Sequence, residues 1–241
     1  MPILLGIDLE TTGLDPKLGH ITEIGVALYD TETQMLFNPM GLLVNDATPD
    51  TQGRGWVISE ELVYLSGIHP NILLDHGSSL AQAFAFVHKL ALRADCIVAH
   101  NADFEKAWLL HHVPTSPLLT MPLIDTLTDL PYSPHQKHKD LERLCLKHSV
   151  PYPHRHRAMF DVVAMLDVLK CYPFDKVLER SCSPSVTLQA MVSFEQKDLA
   201  KAIGYGWGDA KRIWTKTIKE LDLQAERERA TLAGFEVAEI V

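Results

Sequence analysis

No apolar stretch of this 241-residue sequence approaches the about 20 residues needed to cross a bilayer, which excludes a membrane-spanning helix. Where a secretory leader would carry basic residues and then an apolar core, the chain places Asp8 and Glu10. The expectation is therefore a cytoplasmic protein without a membrane partner. Cysteine is scarce and scattered. Cys96, Cys145, Cys171 and Cys182 form no Cys-x-x-Cys pair, which argues against a zinc ribbon or a disulfide framework and fits reduced, mostly buried thiols. The twelve histidines, His111–His112 and His135/His138 among them, have no cysteine partners, so these pairs read as solvated loop residues. Basic charge is also short: 22 Lys and Arg stand against 31 Asp and Glu, a formal net charge of −9. That balance excludes a uniformly basic surface of the kind that wraps nucleic acid. It leaves room for a local exception, because a site that gathers cations needs carboxylates, and the bound cations then present positive charge to phosphates.

What is present is an ordinary globular composition, 46% hydrophobic and 22% charged. The length suits one large domain, or a domain of about 150–200 residues with a small module. Leu4–Ile7 and Glu23–Tyr29 read as buried strands, and Gln34–Val44 continues a meander in which Pro39 weakens the middle. Asn45–Gly55 is loop text. Helices are expected over Ser59–Leu65 and Ser79–Leu92, the second with an apolar stripe at Leu80, Ala83, Phe84, Val87, Leu90 and Ala91. Short strands at Cys96–Ala99 and Leu123–Asp125 alternate with helices near Asp103–Leu110, Leu141–His148 and Ala158–Leu169. Strands alternating with helices predict an α/β layered domain over 1–178. A polar break at Arg180–Pro184 reads as a linker to a small α+β module over 186–241, with strands at Met191–Phe194, Lys211–Thr217 and Phe235–Ile240 and helices at Glu195–Ile203 and Lys219–Thr231.

The chemistry begins in the first dozen residues, where an apolar run ends in Asp8-Leu9-Glu10-Thr11-Thr12-Gly13. Alternate residues of a strand share a face, so Asp8 and Glu10 point together at a strand end. Like charges held side by side repel unless something positive lies between them, and a hard cation such as Mg²⁺ or Mn²⁺ suits oxygen ligands. Two further clusters follow in order: His100-Asn101-Ala102-Asp103-Phe104-Glu105 after a strand, and His156-Arg157-Ala158-Met159-Phe160-Asp161 at the start of a helix. Carboxylates converging from several strand and helix ends are what a pair of ions about 3.5–4 Å apart requires, and a histidine is the natural base near neutral pH.

The ordered set D-x-E-T-T-G, H-N-A-x-F-[D/E] and H-x-A-x-x-D resembles the DEDDh exonucleases, the DnaQ-like, RNase H-fold superfamily that includes proofreading subunits, exonuclease X and the TREX enzymes. The likeness covers residues 1 to about 172, and Glu23-Ile24-Gly25, Ser66-Gly67-Ile68-His69 and Ile124-Asp125-Thr126 also resemble family landmarks. It implies an RNase H-like mixed five-stranded sheet flanked by helices, two Mg²⁺ or Mn²⁺ ions, and hydrolysis at a nucleic acid 3′ end. Under it Asp8 bridges both ions, Glu10 and Asp161 bind the nucleophile-side ion, Glu105 fills the second-motif position, and His156 is the general base. Thr11, Thr12, Gly13 and Leu14 fall where relatives grip the terminal nucleotide. Asn101 falls where they carry a substrate-orienting or helix-capping residue. The family usually has Asp at the position of Glu105. Asp103, two residues earlier on a helix, would face about 200° away, which favours Glu105. Spacing to Asp161 favours His156 over His154, and Arg155 and Arg157 either meet phosphate or stand in solvent.

These readings make a 3′–5′ exodeoxyribonuclease the leading expectation, releasing nucleoside 5′-monophosphates from single-stranded or frayed ends, alone or with a separate polymerase or repair complex. An exoribonuclease of the same superfamily and a binding module that has lost catalysis are the alternatives. In the C-terminal module, Lys197, Lys201, Lys211, Arg212, Lys216 and Lys219 interleave with Tyr205, Trp207 and Trp214. Such aromatics serve either as the core of a small domain or as a stacking platform for single strands.

Overall fold

In a computed structural model of the chain, the first apolar run forms strand β1 (Ile3–Thr11), followed by β2 (Ile21–Asp30) and β3 (Leu36–Leu43). Then come α1 (Glu60–Ser66), α2 (Pro70–His76), α3 (Leu80–Ala91), β4 (Cys96–Ala99), α4 (Ala102–His112), β5 (Leu123–Asp125), α5 (Leu141–His148) and α6 (Ala158–Leu169). The structure describes residues 2–45, 58–133, 136, 138–208 and 212–240. The expected loop beyond Asn45, together with His135 and Lys211, lies outside them. The chain divides into two compact units, one of residues 1–130 and 138–174, the other of 131–137 and 175–241.

The first unit is the RNase H-like mixed sheet, with strand order β3-β2-β1-β4-β5. Strands β1, β2 and β3 pair antiparallel, while β4 and β5 run parallel to β1. Alternation sorts β1 by face. Leu5, Ile7 and Leu9 join Ile24, Val26 and Leu28 of β2 and Phe84, Val87 and Leu90 of α3 in the main core. Gly6, Asp8 and Glu10 therefore point to the opposite face, where α6 lies. Pro39 is accommodated on the edge strand, where the register between β2 and β3 slips beside it and Asn38 takes φ 54°. Helix α3 is capped by Ser79 with a full capping box to Gln82 and buries its predicted stripe, Leu80 only in part.

Two glycines set how close α6 comes to the sheet. A Cβ on Gly25 would lie 2.1 Å from the backbone carbonyl of Ala158, and one on Gly6 would lie 2.8 Å from Val162. The start of α6 is thereby laid directly on β2, over the residues paired with Asp8 and Glu10.

The second unit contains α7 (Phe174–Ser181), β6 (Ser185–Met191), α8 (Lys197–Ala202), β7 (Gly206–Gly208), β8 (Ile213–Lys219), α9 (Leu223–Leu232) and β9 (Glu236–Ile240). Its antiparallel sheet has the order β7-β8-β6-β9. The boundary expected at residue 178 falls inside α7. Arg180 ties this helix to Asp222 of the same unit at 2.9 and 2.6 Å, so the stretch expected as a linker lies within the second unit, where only Cys182–Pro184 separates α7 from β6. The strand expected at Met191–Phe194 lies earlier, because Leu188 and Ala190 are the residues that reach the core. The charged helix starts at Leu223 rather than Lys219, since Lys219 still pairs in β8 with Ser185. Tyr205 is buried and Trp214 packs on the same core, while Lys216 bonds to Glu226 at 2.7 Å. Trp207 meets Trp214 at 5.5 Å and stays half-exposed, and Lys197 lies 3.8 Å over the exposed ring of Phe194.

Because a methyl group at Gly25 overlaps backbone rather than a yielding side chain, Gly25→Ala is expected to cost about 3 kcal/mol or more. The drop in melting temperature is about 2–4 °C per kcal/mol for a chain of this size. At Gly13 an added methyl would meet nothing within 4 Å, which makes this residue the control. Gly13→Ala is expected to melt within a degree or two of the parent, a change of about 0.5 kcal/mol or less. Equal melting of the two variants in a calorimetric scan would refute the close approach.

Candidate metal-binding and active site

The site forms where three pieces of backbone meet at one end of the first sheet. Asp8 and Glu10 descend from β1 on the α6 face. Across the β1–β2 ladder, Asp8 opposes Gly25 and Glu10 opposes Glu23. Asp161 sits in the first turn of α6, and His156 lies just before that helix with φ 59°. Ligand atoms of Glu10, His156 and Asp161 all fall within 4.8 Å of one another. The Asp161 carboxylate accepts a hydrogen bond from the Tyr152 hydroxyl at 2.7 Å and others from the backbone N–H groups of His156 and Arg157.

Glu105 enters from α4, whose exposed Asp103 faces solvent, so helical periodicity separates the two carboxylates as predicted. Glu105 is only 4% exposed, and its Oε2 has no hydrogen-bond partner among the described residues. It borders a cavity of about 100 Å³ lined on its other sides by Ile7, Ile97, Leu109 and Leu118. Asn101 occupies the N-cap position of α4 in the left-handed region, at φ 76°, yet its side chain makes no capping bond. The capping task passes to Asp125 at the end of β5, whose Oδ1 accepts from the Asn101 N–H at 2.9 Å and from Leu127 N–H at 2.8 Å. His100 turns inward to Thr126 Oγ1 at 2.9 Å, and burial pushes its pKa down to about 4, so it stays neutral.

The turn after β1 is tied by its own threonines. Thr11 Oγ1 donates to the Gly13 carbonyl at 2.6 Å, and Thr12 Oγ1 accepts from His20 N–H at 2.9 Å. Leu14 projects beyond them, 88% exposed. His154 stays outside the cluster with its ring edge-on to Phe160 at 4.7 Å, and Arg155 pairs with Glu142. Arg157 meets Glu23, through Nε and Nη2 at 3.0 Å each, while its side chain stays 37% exposed.

Electrostatics marks this patch as incomplete. Burial pushes the Glu10 carboxyl up to about 8, with Asp161 and Glu23 adding repulsion that Arg157 partly offsets. Burial likewise raises Glu105 to about 8, with Asp125 contributing. Asp161 rises to about 6, again by burial first, despite the hydrogen bond from Tyr152. Asp8 is held well above the ordinary range by burial and then by Glu105, Asp161, Glu10 and Glu23 in turn. Oxygen-rich, mutually repelling, with one buried oxygen unpartnered, the donor set fits hard divalent cations. Asp8, Glu10, Glu105 and Asp161 are the residues that would hold them. Sequence reasoning missed Tyr152 altogether, and it noted Glu23 and Asp125 only as landmarks. None of the three carries a spacing signal of its own.

The sequence matches the RNase T family of exonucleases over residues 5–169. The chain belongs to that family. Members of the RNase T family are generally metal-dependent, in keeping with the donor set. Among solved structures, Escherichia coli exonuclease I bound to a dA16 oligonucleotide is similar at TM-score 0.58 and 16% identity, over 78% of this chain and 48% of that one. A second exonuclease I structure matches at TM-score 0.60 and 15% identity, over 100% of this chain and 62% of that one. A 3′-exonuclease that recognises a histone mRNA stem-loop matches at TM-score 0.56 and 17% identity, over 70% and 80%. At such identities the likeness establishes the RNase H-like fold, and this family member spans about half the length of the first exonuclease I chain. Comparison with curated proteins gives no match.

Each raised carboxyl binds its proton more tightly in the folded chain than in the unfolded one. Its contribution therefore favours folding at low pH and is lost as pH rises through about 6 for Asp161 and about 8 for Glu10 and Glu105. In chelator, the melting temperature is expected to fall between about pH 6 and about pH 8. Added Mg²⁺ is expected to restore more of it at the upper end and to release protons on binding, read by calorimetry in two buffers of different ionisation enthalpy. Mg²⁺ stabilisation that is equal at both pH values would contradict a site built from these carboxyls.

Proposed function

We propose that this family member is a 3′–5′ exonuclease acting on DNA, preferring single-stranded or frayed ends and releasing nucleoside 5′-monophosphates. The observation that carries the reading is the meeting of Glu10, His156 and Asp161 within 4.8 Å, with Glu105 buried and its Oε2 unpartnered. Bound divalent cations would supply positive charge at the terminal phosphate and acidify the attacking water. Asp8, Glu10, Glu105 and Asp161 would hold that charge in place. A ring nitrogen of His156 takes the proton from water as its oxygen attacks phosphorus. The bond from phosphorus to the 3′ oxygen of the preceding nucleotide breaks, and that oxygen takes up a proton. The Thr11–Gly13 turn presents the exposed side chain of Leu14 to the terminal base, and Asn101, relieved of capping by Asp125, is free to orient the strand. The choice of DNA rests on the likeness to exonuclease I, solved with a dA16 oligonucleotide, and the similar 3′-exonuclease that recognises a histone mRNA stem-loop makes RNA the alternative.

The test is Mg²⁺-dependent digestion of 5′-end-labelled single-stranded DNA, duplex DNA and RNA. Asp8→Ala is expected to abolish cleavage, Glu105→Ala to do the same, and Asp103→Ala to leave it near the parent rate. His156→Ala is expected to slow it by about 10²–10⁴-fold. Faster digestion of RNA would make the chain an exoribonuclease. No cation-dependent digestion of any strand, with binding retained, would make it a module that has lost catalysis. A fully active Glu105→Ala protein would remove Glu105 from the site.

A further inference from the structure

His156 must reach the acidic cluster from a turn that no local rule holds in place. At φ 59° its backbone lies in the left-handed region, which is uncommon for a residue with a side chain. Helix α6 begins directly after it, and the N-cap residue, Arg157, caps nothing with its own side chain. The missing partner comes from the other end of the unit. Glu23 of β2, only 2% exposed, accepts the Ala158 N–H through Oε2 at 3.1 Å and the Arg157 Nε through the same oxygen at 3.0 Å. Its Oε1 takes Arg157 Nη2 at 3.0 Å. A side chain 134 positions away in sequence thus performs the cap and grips the capping residue with a two-pronged ion pair.

The surroundings show the same constraint. Gly41, opposite Gly25 on β3, leaves room for Glu23: a Cβ there would stand 2.6 Å from its Oε1. Glu23 also faces Glu10 across the ladder, so without Arg157 two carboxylates would confront each other with nothing positive between them. On its other side the turn gives the N–H groups of His156 and Arg157 to Asp161. Two carboxylates therefore hold it, one in the site and one behind it.

Resting on the exonuclease reading above, we propose that Glu23 and Arg157 act as a positioning pair: they fix the turn that presents His156 to the water, and they touch neither substrate nor cation. Arg157 then spends its Nε and Nη2 on this clamp, the task proposed for it in place of a phosphate contact.

The experiment is a mutant cycle in single-turnover cleavage with enzyme in excess. Glu23→Gln and Arg157→Met are each expected to slow cleavage by about 10²-fold, the loss typical of a catalytic group moved by about 1 Å, with KM for the strand little changed. The double variant is expected to be no slower than the worse single one, because either change breaks the same clamp. In a His156→Ala background, Glu23→Gln is expected to cost less than about twofold, since the group it positions is gone. Arg157→Met changes a side chain 37% exposed and serves as the variant that folds if buried Glu23→Gln does not. A substrate-free readout is the ring signal of His156 in ¹⁵N-labelled protein, expected to move or broaden in Arg157→Met while other histidine signals hold. Parent-like rates, multiplicative losses, an equal loss in the His156→Ala background or an unmoved His156 signal would each overturn the pair. If the parent cleaves no nucleic acid, the proposed activity falls, and the ring signal still decides whether the clamp exists.

Discussion

The structure of the first unit is governed by repulsion. At one end of a sheet whose other face is an apolar core, burial and then Glu105, Asp161, Glu10 and Glu23 in turn raise the proton affinity of Asp8, while burial, Asp161 and Glu23 raise that of Glu10. A fold drives carboxylates into such proximity only if rigid backbone holds them there. Strand pairing fixes Asp8 and Glu10. Glycine-permitted contact lays α6 and its Asp161 on β2, and Asp125 fixes the start of the helix that brings Glu105. The core behind them supplies the free energy that crowding costs.

Much of this was legible in the sequence, for physical reasons that differ by residue. Strand alternation put Asp8 and Glu10 on one face. Helical periodicity chose Glu105 over Asp103, and the structure buries the first and exposes the second. Spacing singled out His156, which sits with Glu10 and Asp161, while His154 packs on Phe160. What stayed hidden was non-local or weakly patterned. Tyr152 reaches Asp161 from a proline-flanked segment with no periodicity, and the Glu23–Arg157 pair joins residues whose partnership only a folded sheet reveals. Helix α2 escaped notice because it is short and begins at Pro70, a proline that suits a first helical turn as well as a loop.

The second unit was harder to read, since its strands are half-buried and carry Thr, Gln and Lys where a deeper sheet would carry Val and Ile. Of its aromatics, Tyr205 and Trp214 went to the core, which is the ordinary fate of large rings in a small domain. Trp207 and Phe194 keep the surface positions.

The reach of the Glu23–Arg157 bond across 134 positions has a consequence for synthesis. The hairpin bearing Asp8, Glu10 and Glu23 emerges early and can pair at once, but contacts of such sequence separation form only after the intervening chain has closed. The histidine turn is therefore set after the hairpin. A partly made or partly folded chain carries Asp8, Glu10 and Glu23 without the turn that places His156. For the nuclease proposed above, that order would work as an assembly check, with chemistry withheld until the unit is whole.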